Sequence, residues 1–455
     1  MTTGNVLDVE SVVAAIDDAL GERVIVTGSL PAMGGDLDLL VGDEQARRIP
    51  EVLAAHGFRP RGRSVPPIRL ATQQWVRIEG CSAMAVDLNP VRRWGLTREE
   101  ERALVAEATT ISGFRHLARP SAHHAVLILA RRLATGTLPR QRLAKLARAV
   151  EEDPLAWQRA QERAGAWGVR TALPALRRLY DQGQSPSLAQ RARARFEVAA
   201  GPGLPGVAAR ARAKLSAAMP RSPVVVGFSG LDGSGKSSQV KALTALVEQL
   251  DVAVVVEWKP LGHNSSIQAI RRVIKRVLAA VNKWDAGQLD KSKRPGQSLI
   301  AGANPALLGG RQNAMLTHVW ATVVGLASAG HYRTVVLRHA GSGKLIVFDR
   351  FALDTVAQLR FFYGSQHRFA FQRALIRLVC PTPMAAWLLD VPGEVALARK
   401  PEQYDLAQLK QQEHLLREEA ARLGVIRLDG TRPMADLCHE IATEVWERMG
   451  GEGHP

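Results

Sequence analysis

Five apolar, β-branched runs divide the second half of the chain, and they constrain its fold more than any other feature. The runs are VVVGF, VAVVVEW, KLIVFD, AAWLLD and VIRLD, and helical segments lie between them. Continuous apolar strands separated by helices are typical of a parallel sheet that helices cover on both faces. We therefore predict an α/β fold with a parallel sheet for residues 223–455.

The first half of the chain has a different pattern, and 455 residues are too many for one ordinary core. VIVTGSL, LDLLV and MAVDLNP predict strands and VVAAIDDAL predicts a helix, so residues 1–110 form an α+β domain. HHAVLILARRLA and TALPALRRLY have apolar residues at helical spacing, which predicts an all-α extension over residues 111–198. Glycines and prolines in residues 199–222 predict an interdomain linker that contains a short Ala/Arg-rich helix.

The composition limits the classes of partner. The net charge of +17, from 60 Lys and Arg against 43 Asp and Glu, favours anionic partners. Aromatic residues, at 5%, are too few to suggest base-stacking platforms, so a nucleic-acid partner is disfavoured. No secretory leader, no transmembrane run of 18 apolar residues and no paired cysteine spacing is visible, which predicts a soluble cytoplasmic protein. Either a monomer or a dimer is compatible with this pattern.

A glycine-rich loop follows the first apolar run. In GLDGSGKSS, the residues Gly230, Gly235, Lys236 and Ser237 fill the pattern G-x-x-x-x-G-K-[ST], and the amphipathic segment SQVKALTALVEQL comes next. Glycines allow backbone N–H groups to converge on phosphate, the lysine supplies a mobile cation, and the serine supplies a hydroxyl ligand for Mg²⁺. The pattern predicts a nucleoside triphosphate site with ATP and Mg²⁺ as cofactors. The nucleotide-binding residues would be Gly230, Gly233, Ser234, Gly235, Lys236, Ser237 and Ser238.

FSGLDGSGKSSQ resembles the nucleotide-binding loop of thymidylate kinases, and three further motifs follow in that family's order. The first is IVFDRF, which resembles the family's strand ending in Asp-Arg. The second is PMAAWLLDVPGEVALARK, which resembles its Asp-Val-Pro strand, helix and basic lid. The third is IRLDGTRPMADLCHEI, which resembles its closing strand and helix. The resemblance implies a P-loop kinase that transfers a γ-phosphoryl group from ATP to a small acceptor.

The resemblance also implies roles for single residues. Asp232 would contact the acceptor, Asp349 would lie near Mg²⁺ and the reacting oxygens, and Arg350 would hold an acceptor phosphate. Arg399, with Lys400 behind it, would supply the lid cation that stabilises the transition state.

Two departures from the family concern the acceptor. EWKPLGHNSS stands where thymidylate kinases carry Arg-Glu-Pro-Gly-Gly-Thr, and the helix AMLTHVWATVVGLASAGHY is apolar where the family carries an arginine. We therefore predict that thymidine monophosphate is a poor acceptor, and that another nucleotide, a sugar or another metabolite is used. The alternative is a regulator or scaffold that binds ATP without phosphorylating an acceptor. The presence of both Asp232 and Asp349 favours the kinase.

The N-terminal segment VIVTGSLPAMGGDLDLLV carries Gly28 and Ser29 after a strand, then Asp36 and Asp38. Alternation along a strand puts these two carboxylates on one face, where they could share metal ions with Asp87 of the strand MAVDLNP. The arrangement resembles the nucleotidyltransferase superfamily, whose members join a nucleoside monophosphate to a hydroxyl with two Mg²⁺ ions. An inactive relic, or a plain Asp-Leu-Asp strand end, is the alternative.

Two other features have structural interpretations. His123 and His124 precede an apolar helix, and the pattern favours a helix-start or core-edge role over a metal site. The basic helix IQAIRRVIKRVLAAVNKW could lie on an anionic membrane surface, but packing on the parallel sheet is favoured.

Overall fold

The computed structural model divides the chain into two compact units. The N-terminal unit spans residues 6–61 and 67–219, and the C-terminal unit has residues 220–455 as its main part. The structure describes residues 8–28, 30, 36–42, 44–61, 73–136, 138, 140–200, 223–250, 252–258, 314–363, 369–401 and 404–450. Ser29, Lys259, most of the predicted linker, the basic helix and the long insertion before residue 314 lie outside these ranges.

The described strands of the N-terminal unit form one mixed sheet of seven strands in the order β3-β4-β5-β2-β1-β7-β6. They are β1 (Val24–Val26), β2 (Asp36–Val41), β3 (Arg59–Pro60), β4 (Gln73–Glu79), β5 (Ser82–Pro90), β6 (Thr109–Thr110) and β7 (Leu117–Arg119). The central strands β2 and β5 are parallel, and their register pairs Asp38 with Asp87. The sheet continues beyond residue 110, where the sequence predicts the end of the α+β domain.

Helices cover this sheet and continue past it. They are α1 (Val9–Leu20), α2 (Gln45–Ala55), α3 (Arg98–Ala106), α4 (Ala122–Thr135), α5 (Arg140–Glu152), α6 (Ala156–Arg163), α7 (Ala172–Gln182) and α8 (Leu188–Ala200). The helix α4 is central to the second core, because its residues Val126, Leu127 and Ala130 are fully buried. Ile25 of β1 and Leu40 of β2 belong to the same cluster, so the helical extension packs on the sheet.

The C-terminal unit contains a five-stranded sheet in the order β12-β11-β8-β10-β9. Its strands are β8 (Val224–Gly230), β9 (Val254–Trp258), β10 (Leu345–Asp349), β11 (Ala385–Asp390) and β12 (Ile426–Asp429). All the pairings are parallel, and every residue of β8 and β10 is buried. This agrees with the prediction of an α/β fold with a parallel sheet from the five apolar runs.

The described helices of this unit lie on both faces of the sheet. They are α9 (Lys236–Gln249), α10 (Ala314–Arg338), α11 (Ala352–Tyr363), α12 (Ala370–Val379), α13 (Gly393–Arg399), α14 (Leu406–Leu423) and α15 (Met434–Gly450). On one face, α10, α11 and α12 pack against Ile346 and Phe348 of β10. On the other, Trp387 of β11 donates a hydrogen bond to Glu444 of α15 at 2.8 Å.

Both β8 and β10 end at the same edge of the sheet, because parallel strands share their direction. The loop 231–235 and the residue Arg350 follow these ends. In open parallel sheets this edge is where ligands bind. None of the described helices combines the length and the apolar character needed to cross a membrane.

Candidate functional site

The loop between β8 and α9 is built around close backbone contacts. Gly233 has a φ of +90°, and a Cβ there would lie 2.6 Å from the carbonyl oxygen of Ala396 in α13. Gly235 has a φ of +92° and precedes the first residue of α9, with nothing within 4 Å of the place of its Cβ. The loop therefore packs against α13 at Gly233 and is open at Gly235, in front of the positive end of α9.

The Lys236 side chain is held inside the loop. Its Nζ donates hydrogen bonds to the carbonyl oxygens of Gly230, at 2.8 Å, and Leu231, at 2.6 Å. The side chain is buried, and burial, reinforced by the charge of Arg350, lowers the pKa of Lys236 to about 8. The sequence predicts a mobile cation here, but in the structure the ammonium group must exchange loop carbonyls for phosphate oxygens to bind a nucleotide.

Ser237 and Asp349 meet across the edge of the sheet. The Ser237 hydroxyl donates a hydrogen bond to Oδ2 of Asp349 at 2.6 Å, although the two residues lie 112 positions apart. Asp349 is buried, and its Oδ1 has no hydrogen-bond partner among the described residues. A hydroxyl and a carboxylate oxygen are ligands that Mg²⁺ accepts, so these two side chains fit a magnesium site.

Arg350 lies between two carboxylates directly after β10. It forms an ion pair with Asp232 of the loop, and its Nη1 lies 4.0 Å from Oδ1 of Asp354 in the first turn of α11. Its backbone is in the left-handed region, with a φ of +83°, and its N–H donates to the carbonyl of Phe228 at 2.9 Å. A non-glycine residue in this region is strained and is kept there by its surroundings.

The charges of this group affect each other. Burial alone would raise the pKa of Asp232, but Arg350, followed by Lys236 and Lys400, outweighs it and holds that pKa below its ordinary value. Burial raises the pKa of Asp354, and Arg350 and Lys236 oppose the rise. Asp354 accepts hydrogen bonds from the Ser229 hydroxyl and from the N–H of Phe351.

The remaining predicted residues of this site lie further out or within the loop backbone. Arg399 is exposed at the end of α13, and its Nη1 donates to the carbonyl of Gly430 at 3.3 Å. No described contact joins it to Asp232 or Lys236, whereas the charge of Lys400 does act on Asp232. Ser234 is buried in the loop and Ser238 lies exposed in the first turn of α9.

About half of the chain is similar to a thymidylate kinase. A stretch of 235 residues, 49% of this chain, is 25% identical to the thymidylate kinase of Symbiobacterium thermophilum and covers 93% of that protein. The likeness supports a kinase-like relationship for this part of the chain. No protein-family model matches the chain.

The second candidate site lies in the N-terminal unit. Asp36, Asp38 and Asp87 each offer a carboxylate oxygen, and these oxygens lie within 4.8 Å of one another. Alternation along β2 places the first two on one face, as the sequence predicts, and the parallel register of β2 with β5 brings in Asp87. We call these three residues the carboxylate triad.

Two arginines reach the carboxylate triad from the helical extension. Arg132 of α4 and Arg142 of α5 place guanidinium nitrogens 3.9 and 3.8 Å from Oδ2 of Asp38. Arg132 also donates to the hydroxyl of Thr27 at 3.3 Å. Sequence patterns did not identify either arginine as part of the site, because both look like ordinary charged residues on helix faces.

His123 and His124 are buried at the start of α4, in agreement with a helix-start role. Glu107 lies 3.1 Å from Nε2 of His123, so the three side chains could hold a metal ion by distance alone. However, Arg163 donates to Nε2 of His124 at 3.1 Å, which leaves Nδ1 with the proton and facing the hydroxyl of Ser121 at 2.8 Å. Burial, with smaller effects of His123 and Arg163, lowers the pKa of His124 to about 3. The arrangement favours a hydrogen-bonded helix start.

Proposed function

We propose that the C-terminal unit is an ATP-dependent phosphotransferase of the P-loop kinase type, with residues 223–455 as a thymidylate kinase-like domain. The contact between Ser237 and Asp349 carries the proposal. It joins the residue that follows the loop lysine to the end of the neighbouring strand, at 2.6 Å and on the edge where the strands end. A sheet without a nucleotide to bind has no need to bring a hydroxyl, a buried carboxylate and a buried lysine together there.

The residues of the loop divide the work of phosphoryl transfer. Backbone N–H groups at the start of α9 and the charge of Lys236 would bind the phosphates of the nucleotide. Ser237 and Asp349 would hold Mg²⁺, which supplies charge neutralisation at the phosphates when it is bound. Asp232 and Arg350 would face the acceptor. Phosphoryl transfer depends mainly on such positioning and charge stabilisation.

A regulator that binds ATP without an acceptor is the alternative for this unit. Such a protein needs the loop and Lys236, but it has little need of an acceptor-side ion pair. The side chains of Arg350 and Asp232 are only 15% and 17% exposed at their contact. Such burial costs desolvation energy, and a module that only binds ATP would gain nothing in return. This supports the kinase.

A second candidate function belongs to the N-terminal unit. We propose that residues 1–110, with β7 added to their sheet, are a nucleotidyltransferase-like domain. The rest of residues 111–198 would be its helical extension, and residues 199–222 would link it to the kinase-like domain. The closeness of the three carboxylates of the triad, within 4.8 Å, favours metal-dependent transfer of a nucleoside monophosphate.

Substitution of Lys236 tests the kinase. Lys236→Ala removes the cation that the loop holds, and we expect phosphoryl transfer to fall by at least about a thousandfold. Lys241→Ala is the matched control, because Lys241 is exposed on the same helix, α9. Turnover is measured as ADP release over a panel of nucleosides, nucleoside monophosphates and sugars, with product masses. Equal turnover of the two variants, with unchanged melting curves, would show that the loop does not transfer phosphate.

A further inference from the structure

The ion pair between Asp232 and Arg350 has a consequence for the acceptor. Arg350 is the residue that the family resemblance assigns to an acceptor phosphate. In the structure its charge is already matched by Asp232, with Asp354 4.0 Å away on the other side. We call Asp232, Arg350 and Asp354 the arginine clamp.

The cations around the arginine clamp are already matched by carboxylates. Three carboxylates, of Asp232, Asp349 and Asp354, stand against Lys236 and Arg350, and the charge of Lys400 also acts on Asp232. Lys236 and a magnesium ion at Asp349 would be engaged by the donor phosphates. A phosphomonoester acceptor would therefore bring up to two negative charges beside carboxylates in a partly buried place, where such repulsion is weakly screened.

The apolar helix α10 strengthens this point. Its N-terminal half, from Ala314 to Leu326, carries no lysine or arginine. This half is nearer the ligand-binding edge, because α10 runs antiparallel to the strand β10 that follows it. The described residues of this half that face the core are Ala321 and Val324, and Gly325 packs against Ile376. The described residues of this half therefore supply no lysine or arginine that would replace Arg350.

An uncharged hydroxyl group matches the hydrogen-bonding groups of the arginine clamp better than a phosphate group does. A hydroxyl group both donates and accepts hydrogen bonds, whereas a phosphate dianion only accepts them. The Nε–H of Arg350 is buried without a hydrogen-bond partner among the described residues, and Asp232 offers a carboxylate beside it. One group can donate to the acceptor oxygen while the other accepts the acceptor proton.

We propose that the acceptor of this site is an uncharged hydroxyl compound, such as a nucleoside or a sugar, and not a phosphomonoester. The inference rests on the proposed kinase function. In the transfer, the acceptor oxygen forms a bond to the γ-phosphorus, and the bond between that phosphorus and the β–γ bridging oxygen breaks. The acceptor proton passes to Asp232, and ADP leaves with the bond electrons.

Inorganic phosphate is a probe of the clamp that does not require the acceptor to be known. It is titrated by calorimetry into full-length protein carrying Lys236→Ala, which removes the phosphate-binding lysine of the loop. We expect no saturable binding below about 10 mM. Adding Asp232→Asn, which leaves the charge of Arg350 unmatched by the loop, should strengthen phosphate binding at least about tenfold. Further addition of Arg350→Gln should abolish the gain.

Phosphate binding with a Kd below about 1 mM before any change at Asp232, and lost on Arg350→Gln, would overturn the inference. Failure of Asp232→Asn to increase phosphate binding, in a protein with an unchanged melting curve, would overturn it as well. These results do not depend on turnover, so they are separate from failure of the kinase itself, which the comparison of Lys236→Ala with Lys241→Ala detects.

Matched acceptor pairs give the second arm. Wild-type enzyme is offered thymidine and thymidine monophosphate, then glucose and glucose 6-phosphate, and ADP release is followed. In any pair that is used, the uncharged member should have a kcat/KM at least about tenfold higher. Thymidine monophosphate used at or above about 10⁴ M⁻¹s⁻¹ would overturn the inference and identify a thymidylate kinase.

Discussion

The carboxylates at the end of β10 are paired with an arginine of the same loop region, whereas the carboxylates of β2 and β5 lie close to one another. In the arginine clamp, Asp354 follows Arg350 by one helical turn and Asp232 belongs to the neighbouring loop. In the carboxylate triad, the balancing arginines come from α4 and α5, much later in the chain. At the first site the carboxylates are paired with Arg350 in the absence of a ligand. At the second site three carboxylates lie close together, and a bound metal ion would reduce their mutual repulsion. On the proposed functions, the first site would recognise its substrate by shape and hydrogen bonding, and the second would bind metal.

Among the changes that compare the two groups of carboxylates, removal of the one at the end of β10 should have the largest effect. Asp349→Asn keeps the size of the side chain but removes its charge beside Ser237. We expect turnover to fall about 10²- to 10³-fold and ATP affinity to change little. Asp436→Asn, at an exposed position of α15, is the control. Loss of ATP binding without loss of turnover per bound ATP would contradict this role for Asp349.

The carboxylate triad is tested by metal binding. In full-length protein carrying Lys236→Ala, Asp38→Asn should weaken Mn²⁺ or Mg²⁺ binding to the N-terminal unit at least about tenfold, because a charged ligand is lost. It should also abolish any nucleotidyl transfer. The control is Asp18→Asn, at an exposed position of α1. Equal metal affinity of Asp38→Asn and Asp18→Asn, measured by calorimetry, would show that the carboxylate triad does not bind metal and has a structural role.

The loop site is built around a buried lysine, and a pH series tests that feature. Burial lowers the pKa of Lys236 to about 8, and phosphates bind the charged ammonium, so the nucleotide-bound state has the higher pKa. The affinity for ATP is therefore highest below pH 8, where Lys236 is charged in the free protein. It decreases as the pH rises from 8 toward the pKa of Lys236 in the ATP-bound state. Between pH 7 and pH 9 the Kd for ATP should rise about tenfold.

Calorimetry in buffers of different ionisation enthalpy should detect proton uptake on ATP binding near pH 9. Lys236→Ala should bind weakly with no such dependence. A constant Kd for the wild-type protein over this range would show that Lys236 stays charged in the free protein.

The smallest effects are expected from glycines at the two sites. An added Cβ at Gly233 meets a backbone carbonyl at 2.6 Å, whereas one at Gly28 meets the carboxylate end of Asp38 at 2.9 Å. A carboxylate can rotate and a backbone carbonyl cannot. We expect Gly233→Ala to cost about 1–3 kcal/mol of unfolding free energy and Gly28→Ala less than about 1 kcal/mol.

Urea unfolding measures both changes. Gly235→Ala separates the backbone strain from the clash, because Gly235 has a similar φ but open space around it. If Gly233→Ala and Gly235→Ala cost the same, the contact with Ala396 contributes nothing.

The sequence predicted those parts of the fold that depend on local patterns. The five strands of the parallel sheet are visible as apolar runs, and the alternation in Asp36-Leu37-Asp38 puts two carboxylates on one face. Asp354 could have been found as well, because α11 begins two residues after Arg350 and a spacing of four residues faces the arginine.

Long-range contacts could not be predicted in this way. That Arg142 would reach Asp38 depends on how α5 packs on the sheet, and its sequence is that of an ordinary basic helix. The family resemblance predicts that Arg399 supplies the lid cation, and that role stays a prediction; in the structure the short helix α13 directs its side chain to the carbonyl of Gly430. Its direction depends on where β12 ends, which no local motif encodes.

The contact between Gly233 and Ala396 limits how this loop can be transplanted. The loop is one continuous motif in the sequence, but its backbone also depends on a later part of the chain. A Cβ at Gly230 would lie 2.7 Å from the carbonyl oxygen of Leu389. Both partners belong to the later segment formed by β11 and α13. A protein engineer who grafts the loop onto another scaffold would therefore have to carry two separate pieces of chain, and keep the backbone spacing between them.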